Sequence, residues 1–180
     1  MAVRAKPRLR KRTMTAAAAA ALCVLAPWAV MLGPVPITLC TLAIYLMAFV
    51  LDGKGCLAAV AVYVLLGAAG LPVYAGFGAG TGWLLGPTGG FLLAYPVMGL
   101  LCARLLERGC SRWLALGLGT LVLYALGTVW YCLQTGVGLW GGAAVCVLPF
   151  LPGDALKLSA AAALGPVLRD RLVRAGLIET

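Results

Sequence analysis

Apolar residues run along this chain in six blocks, each closed by a cluster of Gly, Pro or charge. The blocks cover about 13–32, 37–51, 56–69, 89–106, 113–133 and 154–173. "GPVP" (33–36), "DGKG" (52–55) and "ERGCSR" (107–112) separate neighbours, as turn chemistry between apolar runs does. Two connections are longer, 70–90 and 134–153, and the second has room for a short helical piece. Runs of this length without charge predict helices that cross a bilayer, at about 20 residues per span. The pattern therefore predicts an all-α integral membrane protein. One six-helix transmembrane domain covers 13–175, behind a basic tail over 1–12.

Composition strengthens this. Of 180 residues, 63% are hydrophobic and only 11% charged, against roughly 25% charged in soluble domains. The first block follows "MAVRAKPRLRKR" and is about 20 residues long, beyond the 7–15 apolar residues of a secretory signal. It is read as the first transmembrane helix.

Charge then gives an orientation. Thirteen of the fourteen Lys and Arg residues, and four of the five acids, fall in the two tails or the turns after the second and fourth helices. Basic residues mark the cytoplasmic side, so both termini are expected there. The net charge of +9 thus reads as topology, and as contact with anionic lipid second, rather than as a nucleic-acid surface.

The exceptions are Asp154 and Lys157, in "PFLPGDALK" (149–157) at the outward start of the last helix. A charge within a span costs roughly 2.5–3.5 kcal/mol on insertion scales, and such residues usually face the bundle interior. At i and i+3 the two side chains share one helix face. Two readings stand: an ion pair in which Asp154 caps the helix, or a ligand site. In the second, Lys157 and the free N–H groups of the helix start make an anion-binding corner, and Gly153 and Asp154 belong to it.

Other chemistry is sparse. There is no His, which removes imidazole metal sites and His-based catalysis. The seven Cys include no C-x-x-C pair and are expected to be structural. No metal or cofactor is expected. The G-x-x-x-x-G-K-[ST] loop is absent, so any ATP hydrolysis belongs to other subunits.

The connection after the third helix holds nine Gly within 67–90, yet also Leu71, Tyr74, Phe77 and Trp83. Irregular backbone at membrane depth lines a cavity or is buried in protein. It is read as a lid over an outward-facing pocket, with Gly70, Leu71, Pro72, Gly76, Gly86 and Pro87 shaping the loop. Tyr74, Trp83, Thr88 and Gly89 are the candidate lining residues. In the first helix, Ala16, Ala17, Ala20 and Ala21 form a small-residue face that suits internal packing or docking of another membrane subunit.

"GLPVYAGFGAGTGWLLGPTGG" (70–90) and "LPFLPGDALK" (148–157), with "GPVPITL" (33–39), resemble the signature stretches of BioY proteins. These are the biotin-capturing S components of energy-coupling factor (ECF) vitamin transporters. The resemblance covers nearly the whole chain beyond the basic tail. It implies an S-component-like six-helix bundle in a prokaryotic cell membrane, a biotin pocket open to the outside, and no catalysis. It also implies a T component and two ATPase subunits as partners, or self-oligomers. Asp154 and Lys157 match the family's P-G-D-x-x-K motif, associated with biotin, and Ala16 and Ala20 match the A-x-x-x-A face that meets the T component. One position departs: Cys40 stands where the family pattern has Gln. The alternatives are a subunit for another small vitamin, a membrane enzyme using the acid and base, and a structural subunit with a bare ion pair.

Overall fold

The computed structural model describes residues 7–30 and 35–178. Eight α-helices hold most of the described residues: α1 (Pro7–Leu25), α2 (Cys40–Val50), α3 (Gly53–Ala68), α4 (Thr81–Leu85), α5 (Gly89–Glu107), α6 (Arg112–Thr135), α7 (Leu139–Cys146) and α8 (Leu151–Arg174). Two short strands, β1 (Ala29–Val30) and β2 (Ile37–Thr38), pair antiparallel beside α2.

Several boundaries differ from the apolar blocks, each for a local reason. Helix α1 is described from Pro7, so it already includes much of the basic stretch ahead of the first apolar block. It ends at Leu25, and residues 26–30 make a turn and β1. The "DGKG" turn shrinks to Leu51–Asp52. The Asp52 carboxylate accepts from Gly55 N at 2.9 Å and caps α3, so Gly53–Gly55 become its first turn.

Helices α5 and α6 are long and apolar enough to cross a membrane, and α7 and α8 form a pair bent by 54° that passes the same test together. Helices α2 and α3 have 11 and 16 residues. At 1.5 Å per residue α2 reaches only about 16 Å, half of a hydrocarbon core.

The core is one continuous cluster. Helix α5 packs along α6 and α3, α2 packs between α8 and α5, and α1 lies on α3. Tyr45, Tyr63, Leu22, Ile44, Met98 and Leu116 are among its fully buried side chains. Cys56 and Cys102 fill this core as small apolar groups, with Gly119 of α6 leaving the space that Cys102 occupies. The cysteines are free thiols.

Charge separates along the bundle. Around the ends of α1 and α8 that lie towards the chain termini, Lys11 pairs with Asp52 at 3.6 Å and Arg104 with Glu107 at 3.8 Å. Arg112 Nη1 donates to the Ala162 carbonyl of α8 at 2.9 Å, joining α6 to α8. Asp154 and Lys157 lie at the opposite end.

Candidate functional site

Three helices converge on one carboxylate. Asp154, in the first turn of α8, is 5% exposed. Lys157, one turn further along, donates from Nζ to Asp154 Oδ1 at 2.9 Å. The Tyr124 hydroxyl of α6 donates to Oδ2 at 2.7 Å, and Thr41 Oγ1 of α2 donates to Oδ1 over a longer 3.4 Å. A carboxylate has about four acceptor sites and an ammonium three donors. The protein fills three of the former and one of the latter. The pair therefore offers its surroundings two N–H donors and about one acceptor, with no net charge.

Those surroundings are a cavity of about 50 Å³ lined mainly by aromatic and aliphatic side chains. Tyr63 comes from α3, Phe91, Leu92 and Tyr95 from α5, Leu123 from α6, and Phe150 from the entry to α8. Thr38 and Cys40 enter at the β2–α2 junction, where Cys40 N donates to Thr38 Oγ1 at 3.2 Å. A mostly apolar wall with a few placed polar groups is the usual form of a small-molecule site.

The connection between α3 and α5 closes it, contributing Tyr74, Ala75, Trp83 and Thr88. This segment is pinned rather than loose. The Tyr74 hydroxyl donates to Val64 O at 2.6 Å, and Gly80 N to Gly67 O at 2.7 Å. The Tyr74 ring lies directly on Gly67, where any Cβ would overlap it, and meets Tyr63 edge-on at 5.8 Å and Trp83 at 6.4 Å. From α6, Trp130 Nε1 donates to Gly86 O at 3.0 Å and Gln134 Nε2 to Leu85 O at 2.8 Å. Gly70, Gly76 and Phe77 take left-handed backbone angles that fold the segment back on itself.

The model of the BioY family matches residues 1–174. This chain belongs to the BioY family. It is 41% identical over 149 residues to the biotin transporter BioY of Thermotoga maritima, covering 79% of this chain and 86% of that one. It is 38% identical over 143 residues to the probable biotin transporter BioY of Pyrococcus horikoshii, covering 79% and 83%. Its structure superposes on the crystal structure of the S-component for biotin from an ECF-type ABC transporter with a TM-score of 0.82. That match has 25% identity and covers 91% of this chain and 92% of the other. The BioY chain is thus an all-α, multi-pass membrane protein of a transporter family.

Of the residues singled out in the sequence, the BioY structure brings Asp154, Lys157, Tyr74, Trp83 and Thr88 to one cavity. Gly153 and Gly89 are not in its wall. Gly89 instead sits against the Leu84 backbone, where a Cβ would collide with the carbonyl, so it serves the turn from α4 into α5. Gly70, Leu71, Pro72, Gly76, Gly86 and Pro87 shape the closing segment from outside the wall.

The start of the last helix corrects the sequence reading. Helix α8 starts at Leu151, with Phe150 as its N-cap, so Asp154 does not cap it. The Asp154 N–H already donates to Phe150 O at 2.8 Å, and Lys157 lies in the second turn. The anion-binding corner of free N–H groups is therefore absent at the pair. Cys40, the position that departs from the family pattern, places its buried thiol in the cavity wall against the phenols of Tyr63 and Tyr95.

Thr41, Tyr63, Tyr95 and Tyr124 went unseen in the sequence. Each is a single polar group inside an apolar run. A hydroxyl on a span was the available signal, but three helices had to be placed before it pointed at Asp154. Ala16 and Ala20 lie exposed on α1, on a face turned away from the rest of the bundle.

Proposed function

We propose that this chain captures biotin in the Asp154–Lys157 cavity and acts as the substrate-binding subunit of an ECF-type importer. The observation that carries this reading is the buried pair, tied to Tyr124 and Thr41, in an aromatic cavity of a BioY-family chain. Its stoichiometry matches one end of biotin. Two donors suit the ureido oxygen, and one remaining acceptor suits a ureido N–H. A carboxylate has no donor for Asp154, and a net-neutral pair gives it no excess positive charge. The ureido ring therefore sits at the pair, with the apolar ring against Tyr63, Phe91 and Tyr95. The carboxylate points towards Trp83 and the closing segment.

The cavity as it stands has room for a handful of waters, so biotin enters by displacing the Tyr74–Trp83 segment. The reading includes both termini in the cytoplasm, six spans formed by α1, α2 with its preceding hairpin, α3, α5, α6 and the bent α7–α8 pair, and no catalysis by this chain. A T component docks on the exposed Ala16–Ala20 face, and two ATPase subunits supply energy.

Titration calorimetry of the purified chain in detergent, with no other subunit, tests this. Saturable biotin binding is expected. Biotin methyl ester should bind nearly as well, and analogues altered in the ureido ring should bind poorly. A folded, monodisperse chain that binds no biotin refutes the function. Equal tolerance of ureido changes refutes the orientation.

A further inference from the structure

At the end nearest the termini a second cavity, of about 250 Å³, opens between α1, α2, α5 and α8. It is lined by three cations, Arg10, Lys11 and Arg169, and two acids, Asp52 and Glu107. The acids are already engaged. Asp52 pairs with Lys11 at 3.6 Å, and Glu107 accepts from Gly53 N at 2.8 Å and pairs with Arg104 at 3.8 Å. Arg10 is different. Its Nε donates to Leu177 O at 2.9 Å, while Nη2 is buried with no hydrogen-bond partner among the described residues. A buried guanidinium donor without an acceptor is costly, and an oxyanion is its best complement.

The rest of the wall is apolar, including Met14, Phe49 and Leu106. Arg10 lies where α1 passes from its basic turns into its apolar ones, the depth at which lipid phosphates meet a membrane helix. We infer that this cavity binds a phosphate group between Arg10 and Arg169. The source is an anionic phospholipid whose acyl chain lies on Met14, Phe49 and Leu106. Guanidinium groups suit this role because they grip phosphate with paired donors, and basic residues at the membrane surface favour anionic lipid.

Native mass spectrometry of the full chain from detergent tests the inference, with phosphatidylglycerol, phosphatidylcholine and inorganic phosphate as separate additions. The native chain should retain one phosphatidylglycerol in preference to phosphatidylcholine. Arg10→Gln with Arg169→Gln should weaken that retention roughly tenfold, as expected for lost charge-assisted hydrogen bonds. Arg10→Lys with Arg169→Lys should fold and keep part of it, which guards against a Gln variant that does not fold. Lys54→Gln with Arg171→Gln removes equal charge from exposed positions outside the cavity and should leave retention unchanged. Equal loss from both pairs of changes overturns the site, since diffuse charge would then explain the lipid. Inorganic phosphate binding without any preference for phosphatidylglycerol overturns the lipid source. Absence of either adduct overturns the inference outright.

Discussion

Replacing Lys157 with Met separates the structural role of the pair from its ligand role. Met keeps the aliphatic stem and removes the ammonium. The Asp154 side chain is only 7% exposed, so its carboxylate then keeps Tyr124 and the long contact from Thr41 but loses its counter-charge. Breaking a buried pair from one side typically costs 3–5 kcal/mol. The two surviving hydrogen bonds put this case at the low end, about 3 kcal/mol. Adding Asp154→Asn removes the orphaned charge while the amide oxygen still accepts from Tyr124, so most of the lost stability returns. Biotin affinity does not return. Both variants lack the Lys157 donors, and a hydrogen bond to a charged group is worth about 1.5–3 kcal/mol, roughly a tenfold to hundredfold loss. Chemical unfolding in detergent reads the first quantity and titration calorimetry the second. Equal stability of the single and double variants refutes the buried-pair argument. Near-native affinity in the double variant refutes the assignment of Lys157 to the ligand.

Further outcomes follow from the same contacts. Tyr124→Phe takes the donor from Asp154 Oδ2 and should cost about 1–3 kcal/mol in unfolding, with a smaller loss of biotin affinity than Lys157→Met. Trp130→Phe combined with Gln134→Ala cuts both ties from α6 to the closing segment. It should speed biotin release in stopped-flow measurements while leaving global stability nearly unchanged. Ala20→Trp fills the exposed face of α1 and should abolish co-purification with a T component while the isolated chain binds biotin normally. Normal assembly of that variant would move the docking surface elsewhere.

How much of this was legible in the sequence depended on the kind of signal. Helix content followed from apolar runs, because a lipid environment leaves a backbone few alternatives. The pair was legible because Asp154 and Lys157 are the only charges away from the tails and turns. Helix ends were less so. Asp52 acts through N-terminal geometry, which pulled α3 toward the start of the chain relative to its apolar block. The partners of Asp154 were hidden for another reason. Thr41, Tyr124 and Asp154 are 113 and 30 residues apart in pairs, and only the packing of α2 and α6 against α8 brings them together. The second cavity was equally invisible, since nothing in the basic tail says that one Arg donor turns inward.

The Asp154–Lys157 cavity and the exposed alanine face share no residue, for α1 contributes nothing to the cavity wall. Any coupling between a docked partner and bound ligand must cross an intervening element. Helix α3 is the main candidate, because α1 packs along it and it holds the closing segment through Val64 O, Gly67 O and the Gly67 surface beneath Tyr74. Gly67→Val tests that route. The new side chain occupies the place of the Tyr74 ring, which must swing out and give up its bond to Val64. In the isolated chain this should raise the biotin off-rate by an order of magnitude or more, since a lost hydrogen bond and a lost aromatic contact together exceed about 1.4 kcal/mol. In the assembled transporter, the dependence of biotin release on the partner should shrink as well, because the segment is already detached from α3. Faster release with partner dependence intact would show that α3 holds the lid without transmitting anything, and would leave the packing of α1 on α2 as the route to examine.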